Sequence, residues 1–121
     1  MKYMLLIYHE EQDWQGRTEP EHQAIYREYR ELIQELQTDG KYLAGDQLQP
    51  ATTASSVRVR NGNQMVTDGP FAETREQLGG FFMIEATDLD EARSIAARIP
   101  SARTGTIEIR PVVEATRPAT A

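Results

Sequence analysis

Two segments of this chain, residues 2–8 (KYMLLIY) and 80–86 (GFFMIEA), carry apolar side chains at odd and even positions alike. Successive side chains of a strand point to opposite faces, so each segment predicts a strand covered on both sides. Only two helical patterns accompany them. The first opens at Thr18-Glu19-Pro20-Glu21: Thr18 can accept from the Glu21 backbone N–H while Glu21 reaches back, and Pro20 sits in the first turn. Ile25, Tyr29, Leu32, Ile33 and Leu36 follow as one apolar stripe, and Gly40 is a suitable left-handed stop. The second opens at Asp88-x-x-Glu91, sets Leu89, Ala92, Ile95, Ala96 and Ile99 on one side, and ends at Pro100. Two helices cover one face of a sheet. Tyr3, Leu5 and Ile7, or else Met4, Leu6 and Tyr8, are then left on the other. That surplus apolar surface predicts a partner sheet, most simply from a second copy in a two-fold dimer.

The remaining segments complete the order. Residues 9–17 are polar and read as a loop, and residues 42–48 (YLAGDQL) as a weaker strand. Val57 and Val59 alternate with Ser56, Arg58 and Arg60, a half-buried strand pattern; Asn61-Gly62 is a strong hairpin signal, and Gln64 to Thr67 make the return strand. Asp68-Gly69-Pro70 breaks the chain, and residues 105–110 alternate with Ile107 and Ile109 inward. The order is β-α-β, a hairpin, then β-α-β. Without the hairpin, at about 55–67, it is the ferredoxin-like βαββαβ plan of an α+β domain. The domain spans residues 1–113, with a frayed tail at 114–121.

A length of 121 residues suits one domain, and the absence of cysteine removes thiolate metal sites, cysteine nucleophiles and disulfides together. A net charge of -6 disfavours nucleic acid and anionic lipid as partners. The opening MKYMLLIYHEEQ has too short an apolar run for a membrane span and no small-residue cleavage site for a signal peptide, so a cytoplasmic location is expected. No phosphate-binding glycine loop, dinucleotide fingerprint or nucleophile elbow is present, and no cofactor or metal is expected.

The segment Thr67-Asp68-Gly69-Pro70-Phe71-Ala72-Glu73-Thr74-Arg75-Glu76-Gln77-Leu78-Gly79-Gly80-Phe81-Phe82 resembles the DGPF-motif branch of the YCII-related family. The likeness extends to MKYMLLIY, to SVRVRNGNQMVTDGPF and to the closing GGFFMIEATDLDEARSIAARIP and TIEIRPV, nearly all of residues 1–113. It implies a ferredoxin-like α+β domain paired as a dimeric α+β barrel. It implies no settled activity: some members place a His and an Asp together in a cleft, and the DGPF branch is associated with extracytoplasmic-function sigma factors.

Candidate site residues are few. Gly69 and Pro70 fix Asp68 at a strand end, where it either supplies a site carboxylate or caps its own turn. Of the two histidines, His22 falls in the first turn of the first helix, where the helix amino end favours a neutral ring that can act as general base or simply pack. Its position resembles that of the His opening the first helix in YCII-related proteins. His9 follows the first strand and either borders a cleft or faces solvent. Asp46, Glu73, Arg75 and Trp14 are candidate substrate contacts, Trp14 either as a lid over a ligand or packed on the dimer partner. His9, Glu10, Glu11 and Asp13 match no zinc spacing. Two functions follow: a cofactor-independent small-molecule enzyme using a His–Asp pair, or a non-catalytic binding or regulatory module with a sigma-factor partner.

Overall fold

The computed structural model describes residues 1–114. The chain runs β1 (Lys2–His9), α1 (Glu11–Gln15), α2 (Glu19–Thr38), β2 (Tyr42–Gln47), β3 (Ser55–Arg60), β4 (Asn63–Asp68), β5 (Gln77–Glu85), α3 (Leu89–Arg98) and β6 (Thr106–Pro111). Short 3₁₀ turns lie at Ala51–Thr53 and Pro100–Arg103. Strands β2, β5, β1 and β6 form an antiparallel sheet in that order, and β3 and β4 form a separate two-stranded ribbon. The chain is therefore α+β, with the two doubly apolar segments at the centre of the sheet, as their patterns require.

One face of the sheet packs on α2 and α3. Tyr3, Leu5, Ile7, Phe82 and Ile84 meet Leu32, Leu36, Ala92, Ile95, Ala96 and Ile99 in one buried cluster. Each fully buried aliphatic side chain contributes roughly 1.5–3 kcal/mol. Met4 pairs with Met83, Leu6 with Phe81 and Tyr8 with Leu78. Strand alternation sets these residues on the opposite face, where Met4, Leu6, Tyr8, Phe81 and Met83 remain half-buried.

The helix starts follow their sequence signals. Thr18 accepts from Glu21 N while Glu21 accepts from Thr18 N, a complete capping box. Asp88 accepts from Glu91 N at 2.8 Å, and Glu91 answers to Thr87 N at 2.9 Å, one residue further out. Asn61 and Gly62 carry φ of 53° and 79°, the paired positive values of a type I′ hairpin.

Three expectations are corrected. The 9–17 segment is not all loop: residues Glu11–Gln15 form the single-turn helix α1. Its hold is tertiary, and local patterning carries no trace of it. Glu11 N donates to Gln77 Oε1 at 3.0 Å, and Glu11 Oε1 accepts from Ala51 N at 2.7 Å. Leu89, expected on the buried side of α3, overhangs its first turn and is exposed. The ribbon valines are also bare: Val57 is 57% exposed and Val66 58%, with no other element among the described residues packed closely on β3–β4. Of the tail expected at residues 114–121, residues 115–121 lie outside the described residues; Glu114 accepts from Lys2 N at 3.2 Å.

Candidate functional site

A cavity of about 300 Å³ opens between the sheet and α2, at the carboxyl end of β1. Ile7, Ile25, Ile33, Tyr29 and Phe82 line its apolar part. His9, Asp13, Trp14 and Arg17 line it from the β1–α2 connection, Gly45, Asp46 and Gln47 from β2, and Ser101, Arg103 and Thr104 from the turn after α3. The volume is at the small end for ligand sites, and the mixture of aromatic walls with a few polar groups is their usual chemistry.

His9 faces the cavity by strand alternation, two residues after Ile7, and an irregularity in β5 makes room for its ring. The β1–β5 register shifts between Ile7 and Tyr8: Ile7 faces Gly80, while Tyr8 faces Leu78. Gly79 is the residue left over, and the His9 ring lies against it. A Cβ at Gly79 would collide with His9 Nε2, so only glycine leaves the ring its place. Neither ring nitrogen of His9 has a hydrogen-bond partner among the described residues. The Nε2 edge lies against Gly79, so a ligand meets the ring from its cavity side.

The other histidine serves a different end. His22 Nε2 lies 2.7 Å from the Trp14 carbonyl oxygen, which can only accept, so Nε2 donates. The His22 ring stacks on the Trp14 indole, with centroids 4.2 Å apart and planes at 21°. Tyr26 meets the same indole edge-on at 5.6 Å, His9 does so at 6.3 Å, and the Arg17 guanidinium sits 5.8 Å from the ring centroid. Trp14 thus forms a wall of the cavity, clamped from behind by His22.

Asp46 lies on the β2 wall but pairs in register with Phe81. Strand alternation sets its side chain opposite to Gly45 and Gln47. Gln47 Nε2 donates to the Tyr26 hydroxyl at 3.3 Å across the cavity mouth. Burial raises the Tyr42 hydroxyl pKa, and the Asp46 charge adds to the shift. Burial also raises that of Tyr29, opposed by its 2.7 Å hydrogen bond to Ser101 Oγ. Both phenols stay protonated at neutral pH and can donate.

The Asp68-Gly69-Pro70-Phe71 turn lies elsewhere, while Gly79, Gly80 and Phe82 at the far end of the same segment line the cavity. Asp68 ends β4 opposite Ser55 with its carboxylate exposed, and no hydrogen bond or ion pair joins it to His22. Gly69 takes φ 90°; its N–H donates to Ala54 O at 2.7 Å, and its carbonyl accepts from Ser56 Oγ at 2.9 Å. The motif therefore closes the base of the ribbon. Glu73 is exposed, Arg75 pairs with Glu10 at 3.0 Å, and neither lines the cavity. Of the sequence candidates, the cavity gathers His9, Trp14 and Asp46. Tyr26, Tyr29, Tyr42 and Gln47 were not singled out, although Tyr29 belongs to the apolar stripe and Tyr26 follows Ile25 directly. No cluster of three or more His, Asp or Glu placed to hold a metal ion occurs among the described residues. No helix among them is long and apolar enough to cross a membrane.

The chain is 35% identical over 114 residues to an uncharacterized protein of Rhizobium meliloti (strain 1021), covering 93% of this chain and 92% of that one. The model of the YCII-related domain matches residues 1–116, and the chain belongs to the YCII-related family.

Proposed function

We propose that this protein is a cofactor-independent enzyme acting on a small organic molecule, with His9 as the acid–base group. The observation that carries the reading is the His9 ring, seated over Gly79, exposed to the cavity and free of hydrogen-bond partners among the described residues. A neutral imidazole can take a proton from a bound substrate and return it elsewhere, as proton abstraction, elimination or hydrolysis requires. Asp13 lies on the same cavity wall but is paired with Arg17 at 3.0 Å, so His9 acts without a carboxylate partner from this chain among the described residues. His22 acts at one remove, holding Trp14 against the substrate. In this reading Asp68 shapes the ribbon.

Strand order β2-β5-β1-β6 under two packed helices supports the ferredoxin-like description. The half-buried apolar face of Met4, Leu6, Tyr8, Phe81 and Met83 supports a homodimer that closes two sheets into an α+β barrel. A cytoplasmic location fits the net charge and the lack of cysteine.

The test is turnover of a panel of small hydroxylated and carbonyl compounds, followed by NMR. His9→Asn lowers kcat/KM by roughly 10²–10⁴-fold, while Asp68→Asn leaves it within a fewfold. Unchanged turnover in His9→Asn overturns the reading. A second reading, a regulatory module bound to an extracytoplasmic-function sigma factor, is favoured by the bare ribbon, where Val57, Val59 and Val66 stand beside Arg58 and Arg60. A stable complex with such a factor, together with an inert panel, would replace the enzyme by the module.

A further inference from the structure

One wall of the cavity is held differently from the others. Helix α2 buries Leu32 and Leu36 in the core, and the turn after α3 buries Pro100 beside Ile99. Strand β2 is bonded into the sheet along β5. Helix α1 buries no residue. It is a single turn, too short to persist by itself. Yet it carries Trp14, which lines the cavity and lies outside the buried core cluster.

The amino end of α1 is kept in place by two side chains. The β1–β5 register sets Gln77 opposite His9, beside the chain as it leaves β1. Gln77 Oε1 accepts from Glu11 N at 3.0 Å, while Gln77 Nε2 donates to Thr74 O at 2.6 Å. Glu11 Oε1 accepts from Ala51 N at 2.7 Å. The exposed ion pair of Arg75 with Glu10 adds little. At the carboxyl end His22 Nε2 donates to the Trp14 carbonyl and its ring stacks on the indole. Hydrogen bonds of this kind each contribute modestly. A segment with no buried side chain and a few polar ties is among the first to open in a folded protein. Such an opening takes Trp14 away from the cavity and leaves β1, β2 and α2 where they are.

We propose that α1 is the door of the cavity, opening by local unfolding to admit a ligand, and that Glu11 and Gln77 are the positioning residues that latch it shut. The proposal rests on the reading of this cavity as the ligand site. Two measurements on the whole chain test it: amide hydrogen exchange by NMR, and quenching of Trp14, the single tryptophan, by acrylamide, a small neutral probe. In wild type the Trp14 and Gly16 amides, bonded to Glu10 O and Gln12 O, exchange faster than those of β5 and of the α2 interior. Glu11→Ala speeds their exchange about fivefold, the factor for one hydrogen bond of ordinary net strength. It also raises the quenching of Trp14, with Tm close to wild type, and Gln77→Leu acts in the same direction. Glu11→Gln, whose amide oxygen still accepts from Ala51 N, restores both readouts. Wild-type α1 amides as well protected as those of β5 overturn the proposal. So do unchanged exchange and quenching in Glu11→Ala and Gln77→Leu. Exchange that rises equally in α1, α2 and the sheet overturns it too, since Glu11 would then support the whole fold. Neither readout involves turnover. Undiminished turnover in His9→Asn would defeat the acid–base reading and leave the door standing, and a failed door leaves the role of His9 untouched.

Discussion

At the residue scale, the functional geometry depends on a side chain that is absent. Gly79 has no Cβ, and the His9 imidazole occupies the space a Cβ would need. Gly79→Ala therefore has to move the ring, the strand or both. The clash falls on the far end of a side chain that borders the open cavity, so the ring can swing aside at little cost in stability. The expected result is a Tm close to wild type, a displaced His9 imidazole signal and loss of the cavity's ligand response, with the His22 signal unmoved. A variant in which His9 keeps its wild-type chemical shift would show that the ring is not held by this contact. The same residue marks a limit of sequence reasoning. Gly79-Gly80 is visible as a place for close backbone approach, but the group that approaches comes from residue 9, seventy positions away, and is fixed by a register slip that no local pattern encodes.

At the element scale, α3 is tied to the beginning of β2 through Lys41. Its ammonium lies 2.9 Å from Glu91 Oε1, the carboxylate that also caps the helix through Thr87 N. The hydrogen bond from Lys41, then that from Thr87, lowers the Glu91 pKa below the usual carboxylate range. A carboxylate whose folded pKa is depressed adds stability above the unfolded value, about 4.3, and loses it as pH falls through the folded one. Glu91→Gln should unfold at lower urea concentration than wild type at neutral pH, and the gap should close as pH falls below that range. A gap that stays constant with pH would assign the loss to packing. The caps at Thr18 and Asp88 and the turn at Asn61-Gly62 were legible because each is local chemistry within four residues. Helix α1 and the cavity were not, because bonds to Gln77 and Ala51 hold the first and six separate segments build the second. His9, Trp14 and Asp46 could be named as candidates; that His22 clamps Trp14 could not.

At the scale of the whole molecule, the open sheet face decides association. Leu6 sits at its centre, between Phe81 on β5 and Glu108 on β6. If this face pairs two copies, light scattering gives twice the 13.7 kDa chain mass for wild type, and Leu6→Lys returns the single-chain mass with the helix-facing core intact. A variant that retains the doubled mass would place the interface elsewhere, with the bare β3–β4 ribbon the next surface to alter.

The position of β1 in the sheet reaches beyond the finished structure. Among the described residues, the first strand of the domain lies between β5 and β6, the two that follow last in the chain order. Met4 and its neighbours have no strand to pair with until residues 77–85 arrive, and their outer edge stays open until residues 106–111 follow. Folding of the domain is thereby postponed until β6 has been made, since long-range pairing must wait for its partner. A premature stop before β6 leaves an exposed apolar strand edge rather than a smaller stable domain, so quality control in the cell would meet nearly the whole domain or nothing worth keeping.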